Sequence, residues 1–213
     1  MTLCAECDEK VAAAVSDRRK RDGESLAMVR LNASGLPRLY CGSRRTWEIV
    51  ARAAGPVRSA CVDALSRGRG LYIHGRAGSF KTSIAAAWLA KTIRDGAEGF
   101  YVYTPDLFTE LGAIYSSKDT TSRRDVIERY AQTQCLLIDD LDKAKVSQHS
   151  AEILGSILDF RYREERRWMI VTANCSLDEL AQRFADQVGE SYAEPLLRRI
   201  AETTDNVPME CEP

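Results

Sequence analysis

The stretch Leu71-Tyr72-Ile73-His74-Gly75-Arg76-Ala77-Gly78-Ser79-Phe80-Lys81-Thr82 runs from an apolar strand into a glycine-bearing loop. Ser83-Ile84-Ala85-Ala86-Ala87-Trp88-Leu89-Ala90 then continues it as a helix. Strand, glycine loop, Lys-Thr and helix in that order form a phosphate-binding layout. The loop and first-turn N–H groups face an anion, Lys81 adds a full charge, and the Thr82 hydroxyl is placed to bind Mg²⁺. Gly75 through Thr82 are therefore the candidate nucleotide-binding residues. One position departs from the pattern G-x-x-x-x-G-K-[ST], because Phe80 stands where the second glycine belongs. A bulky residue forced to positive φ there would cost about 1–2 kcal/mol.

Working outward, the chain alternates strands and helices. Helical spacing covers Trp47 to Leu65, and Gly68-Arg69-Gly70 breaks it before the loop strand. The helix after the loop should end near Arg94, at Asp95-Gly96. Phe100–Tyr103 reads as a short strand, Pro105-Asp106 as a helix start, and Ser116–Thr121 as a polar loop. Cys135-Leu136-Leu137-Ile138 is a buried-type strand that ends in Asp139-Asp140, and a long helix follows through Tyr162. Trp168–Thr172 is a further strand, closed by Ala173-Asn174, and Ser176 with Glu179 forms a capping box. This alternation predicts an α/β fold with a parallel sheet flanked by helices, and ligands beyond the carboxyl ends of the strands.

The remaining candidate groups fall at those strand ends. Asp139 lies 58 residues after Lys81 and directly follows Leu-Leu-Ile, so a buried strand would hold its carboxylate near a loop-bound Mg²⁺. Asp140, one position on, is the candidate to orient or deprotonate a water. Asn174 is a candidate to hydrogen-bond that water or the γ-phosphate. Taken alone, the two aspartates also fit a strand entering a polar turn, and Asn174 fits a helix cap.

Composition narrows the class. A net charge of −1 over 213 residues excludes a polybasic binder, though not a local basic face. No apolar run reaches the roughly 20 residues that span a bilayer, and the N-terminus lacks a secretory pattern. Seven cysteines form an odd, scattered set, as expected of a reduced cytoplasmic protein. Residues 1–45 carry nine Lys and Arg against six Asp and Glu, and read as a short N-terminal, partner-binding arm ahead of a core at 46–213. Within the arm, Cys4-x-x-Cys7 has the spacing of half a zinc knuckle. Zinc takes four ligands and only Cys41 lies nearby, so an inert pair is the competing reading. The clusters Arg18–Arg21, Arg44-Arg45, Arg123-Arg124 and Arg161–Arg167 fit either a path for single-stranded DNA or solvated helix faces.

From about Gly35 to Met209 the chain resembles the AAA+ helicase-loader ATPases of the DnaC type and the related IstB transposition ATPases. Leu137-Ile138-Asp139-Asp140-Leu141 is similar to their Walker B strand, Ala151–Arg163 to the helix after it, and Val171-Thr172-Ala173-Asn174 to their sensor strand. Leu36-Pro37-Arg38-Leu39-Tyr40 resembles their approach segment, and Pro195–Ile200 their final arginine motif. The resemblance implies a P-loop ATPase using ATP and Mg²⁺ (through Thr82 and Asp139), with no substantial C-terminal lid. It implies catalytic roles for Asp140, Asn174 and Arg199, the last reaching a neighbouring subunit, with Arg198 as fallback. The implied function is loading of a replicative helicase onto single-stranded DNA by an ATP-dependent homo-oligomer, in the host cytoplasm if encoded by a phage or other mobile element. Two alternatives stay open, an ATPase assisting a transposase and a nucleotide-binding adaptor with little turnover.

Overall fold

The computed structural model describes residues 23–41, 55–116, 120–164 and 167–209. The described residues begin with a helical segment at 23–33 (α1), and α2 (Arg38–Cys41) and α3 (Gly55–Ser66) come next among them. Then come β1 (Gly70–Gly75), α4 (Lys81–Arg94), β2 (Gly99–Tyr103), α5 (Thr104–Ser116) and α6 (Thr120–Gln132). The second half holds β3 (Cys135–Asp139), a 3₁₀ turn (Leu141–Lys143), α7 (Gln148–Arg163) and β4 (Trp168–Ala173). The described residues end with α8 (Leu177–Val188), α9 (Glu190–Thr203) and β5 (Thr204–Met209).

The strands form one parallel sheet in the order β2-β3-β4-β1-β5. Their side chains explain why both faces are covered. In β1, Leu71 and Ile73 join one buried cluster and Tyr72 the other. β3 divides in the same way, Cys135 and Leu137 against Leu136 and Ile138, and in β4 Ile170 opposes Met169 and Val171. A strand apolar on both faces is stable only between two helical layers. The cluster that holds Tyr72, Leu136, Ile138, Met169 and Val171 packs residues of α5 to α9 on one side, and the cluster that holds Leu71, Ile73, Cys135, Leu137 and Ile170 packs α1 to α4 on the other. The alanine run of α4 (Ala85, Ala86, Ala87, Ala90) is fully buried and lets that helix approach the sheet closely.

Two features position the site. β4 lies between β1 and β3, so the strand that feeds the loop and the strand that ends in the aspartates flank a common neighbour. β5 lies along β1 with Met209 opposite Gly75, where a Cβ would stand 2.2 Å from the Met209 carbonyl oxygen. At φ 146° and with that close approach, only glycine fits the start of the loop.

Residues 23–41 dock on the core. Leu31, Leu36 and Cys41 join the cluster around α4, and Tyr101 N–H donates to Ser34 O at 2.7 Å. The division at residue 45, together with Cys4, Cys7, Arg18–Arg21 and Arg44-Arg45, lies outside the described residues. Cys41 is buried, its thiol directed at the carbonyls of Leu36 and Pro37. The helix expected over Trp47–Leu65 is described from Gly55. Of the expected polar loop at Ser116–Thr121, Ser116, Thr120 and Thr121 are helical. No described helix is long and apolar enough to cross a membrane.

Candidate nucleotide site

The loop from Gly75 to Phe80 joins β1 to α4, and its tip residues Arg76, Ala77 and Gly78 are exposed. Beneath them Ser79 and Lys81 are buried. The Lys81 ammonium donates to Gly75 O at 2.9 Å, Arg76 O at 2.7 Å and Ser79 Oγ at 3.3 Å. Its charge is thus held within the loop, where phosphate oxygens could take over from the carbonyls. The N–H groups of the first turn of α4 have no preceding helical carbonyl and add the positive end of the helix dipole.

Phe80 adopts the conformation that the pattern reserves for glycine, with φ 62° and ψ 18°. Its ring is 73% exposed, so little packing offsets the left-handed backbone. Phe80→Gly should therefore relieve about 1 kcal/mol of strain and raise Tm by about 2–4 °C for a chain of this size. A thermal denaturation scan checks this. An unchanged or lower Tm would mean that the ring contributes contacts worth as much as the strain.

The loop connects directly to the aspartate strand. Thr82 Oγ1 donates to Asp139 Oδ1 at 2.8 Å, Thr172 Oγ1 donates to the same oxygen at 2.7 Å, and Tyr101 OH donates to Asp139 Oδ2 at 3.1 Å. Burial raises the Asp139 pKa, and the hydrogen bonds from Thr172 and Thr82 work against that rise. A buried carboxylate touching the Thr82 hydroxyl supplies the hard oxygen donors that Mg²⁺ prefers, so the residues present fit that ion.

Asp140 follows in a left-handed conformation, φ 58° and ψ 51°, which Asp tolerates better than most residues. Its N–H donates to Thr172 Oγ1 at 2.8 Å, and its carboxylate accepts from Lys143 Nζ at 2.5 Å. Asn174, at the end of β4, gives its backbone N–H and its Nδ2 to the Asp142 carboxylate at 2.9–3.2 Å. The loop, Asp139, Asp140 and Asn174 are thus joined through β3, β4 and the turn after β3. Arg199 is engaged elsewhere. It pairs with Asp159 at 2.6 Å and Glu202 at 2.9 Å, and lies over the Tyr162 ring at 4.1 Å. Arg198 beside it is exposed.

Four residues of this network were not singled out from the sequence, namely Thr172, Tyr101, Asp142 and Lys143. Thr172 could have been found as a hydroxyl in an otherwise apolar strand. Asp142 and Lys143 could have been found as charges within one turn of Asp140. Tyr101 carries no signal beyond its β-rich surroundings.

An all-parallel sheet with the loop on one strand and paired aspartates on a strand one removed defines a P-loop nucleotide-binding protein of the AAA+ class. More narrowly, the chain belongs to the IstB-like ATP binding protein family, which matches residues 57–213. Among solved structures it is similar to DnaI, at 22% identity and a TM-score of 0.62, over 77% of this chain and 94% of that one. It is similar also to the DnaC helicase loader, at 22% identity and a TM-score of 0.58, over 79% of this chain and all of that one. The replication initiator DnaA bound to AMPPCP and single-stranded DNA shares 18% identity and a TM-score of 0.58, over 80% of this chain and 47% of that one. At these identities the likeness is one of fold. No curated protein matches the chain.

Proposed function

We propose that this chain hydrolyses ATP and uses the cycle to load a replicative helicase onto single-stranded DNA, in the cytoplasm of its host. The observation that carries the ATPase half is the contact of Thr82 with Asp139, which joins the phosphate loop to the aspartate strand. The loader half rests on the likeness in fold to DnaI and to the DnaC helicase loader.

In this reading the loop amides from Gly75 to Thr82 and the Lys81 ammonium hold the triphosphate. Thr82 and Asp139 would hold Mg²⁺, which supplies charge neutralisation at the phosphate oxygens when bound. Asp140 orients a water and takes its proton as the water oxygen bonds to the γ-phosphorus and the bond to the β,γ-bridging oxygen breaks. Asn174, whose backbone N–H and Nδ2 donate to Asp142, would contact that water or the γ-phosphate. Neighbouring copies would assemble so that an arginine of one completes the site of the next. The resemblance assigns that arginine to Arg199. The engagement of Arg199 with Asp159, Glu202 and Tyr162 favours Arg198, whose side chain is exposed. Zinc at Cys4 and Cys7 remains a further proposal, to be read from the metal content of the purified chain.

The deciding experiment is an ATP titration followed by steady-state hydrolysis with and without single-stranded DNA, using the parent chain and Lys81→Ala. Removing the buried ammonium that the loop holds should weaken ATP binding at least tenfold, about 1.4 kcal/mol. Unchanged binding would place the site elsewhere. ATP binding by the parent without turnover would favour a nucleotide-binding adaptor. A second reading keeps the ATPase and exchanges the helicase for a transposase, and the match to the IstB-like family favours it. Co-purification with the helicase or with the transposase of the same genome separates the two.

A further inference from the structure

We propose that Thr172 is a positioning residue for ATP turnover, its hydroxyl tying Asp139 to the turn that carries Asp140. The proposal rests on the ATPase reading above. Thr172 is fully buried on β4, in line with Met169, Ile170, Val171 and Ala173, a strand interior where valine would meet the packing demand equally well. A hydroxyl in such a place needs partners, and it has two. Its proton goes to Asp139 Oδ1 at 2.7 Å, and its oxygen accepts the Asp140 N–H at 2.8 Å.

The second bond matters because of the backbone. At Asp140 the chain leaves strand geometry for φ 58°, so sheet pairing no longer serves this N–H. A non-glycine residue in that region persists only where its surroundings hold it. Two bonds do so here. One comes from Thr172, and the other is the turn contact from Lys143 N–H to Asp140 O at 2.9 Å. The direction of the Asp140 carboxylate follows from that backbone. With the loop-linked Asp139 on the same hydroxyl, Thr172 sets the spacing between the residue that would hold the metal and the residue that would handle the water. Displacement of a reacting group by about 1 Å can cost on the order of 100-fold in rate.

The test compares Thr172→Val, which keeps the volume and removes both bonds, with Thr172→Ser, which keeps the hydroxyl. Two readouts are taken, hydrogen exchange of the Asp140 amide by NMR without nucleotide, and kcat and KM for ATP with Mg²⁺. In Thr172→Val the Asp140 amide should exchange at least about tenfold faster while amides within α4 and α7 keep their protection. The kcat should fall about tenfold or more with KM within about threefold, the pattern of a group needed at the chemical step. Thr172→Ser should restore both. Unchanged Asp140 exchange in Thr172→Val, or parental kcat despite faster exchange, overturns the proposal alone. A loss that serine does not restore also overturns it, since the hydroxyl would not be the cause. If the parent chain binds ATP without hydrolysing it, the ATPase reading fails, and this proposal fails with it.

Discussion

Asp140→Asn should lower ATP turnover at least about 100-fold and leave Mg²⁺-dependent ATP binding within about threefold of the parent. The reason lies in how differently the two aspartates are placed. Asp139 is buried and surrounded by the hydroxyls of Thr82, Thr172 and Tyr101, so its carboxylate is built into the binding site. Asp140 points out of the strand end into the turn, where its carboxylate meets Lys143. An amide keeps the shape and the contact with Lys143 but cannot take a proton from water. The matching change Asp139→Asn should weaken Mg²⁺-dependent binding instead, because it removes the anionic ligand. Single-turnover kinetics beside an ATP titration measure both. Parental turnover by Asp140→Asn would remove its assigned role and move the proton-accepting function to another group.

Much of this arrangement is legible in the sequence because each signal has a single physical source. Leu71–His74, Cys135–Ile138 and Trp168–Thr172 are apolar runs too short for buried helices and bounded by turn residues, and all three are central strands. Ser176 and Glu179 form the capping box that their spacing suggests. The positive φ of Phe80 follows from its place in the loop pattern, and the structure has it. β5 was not legible. Its sequence Thr-Asp-Asn-Val-Pro-Met buries only Thr204 and Val207, and Pro208 is tolerated because the strand lies at the edge of the sheet. What holds it is β1 beside it and the pairing of Asp205 with Arg67 and Arg69, contacts more than 130 residues apart. The placement of Arg199 was hidden for the same reason. Spacing puts it in a helix, but only tertiary packing brings Asp159 and Tyr162 beneath it.

Arg161 shows the same limit at larger energetic scale, and its replacement should cost the most stability. In the sequence it belongs to a basic run that fits a nucleic-acid path or a solvated face, and the structure corrects both for this residue. Arg161 is 3% exposed at the end of α7. Its guanidinium donates to the carbonyls of Tyr130 at 3.0 Å, Ala131 at 3.4 Å and Thr133 at 2.7 Å, and also to those of Gln134 and Trp168. The first three are at or just beyond the C-terminus of α6, where helical carbonyls lack partners and the helix dipole favours a cation. The others belong to the entries of β3 and β4. One side chain therefore caps a helix and joins it to two strands. Burial lowers its pKa to about 10, which leaves it charged at neutral pH. Arg161→Met would fill most of the space and remove the cost of burying a charge, which taken alone favours the variant. The carbonyls remain, however, and each buried acceptor left unbonded costs about 1–3 kcal/mol. Gln134 O keeps a bond from the Trp168 N–H, so the loss falls mainly on the end of α6. A net destabilisation of about 3 kcal/mol is expected, which lowers Tm by about 6–12 °C for a chain of this size. Arg161→Lys should recover only part of it, because a single ammonium cannot serve carbonyls on both sides of the planar fork. A Tm for Arg161→Met within about 2 °C of the parent would show that the end of α6 finds other partners. In that case Arg161 does not hold α6 to the sheet.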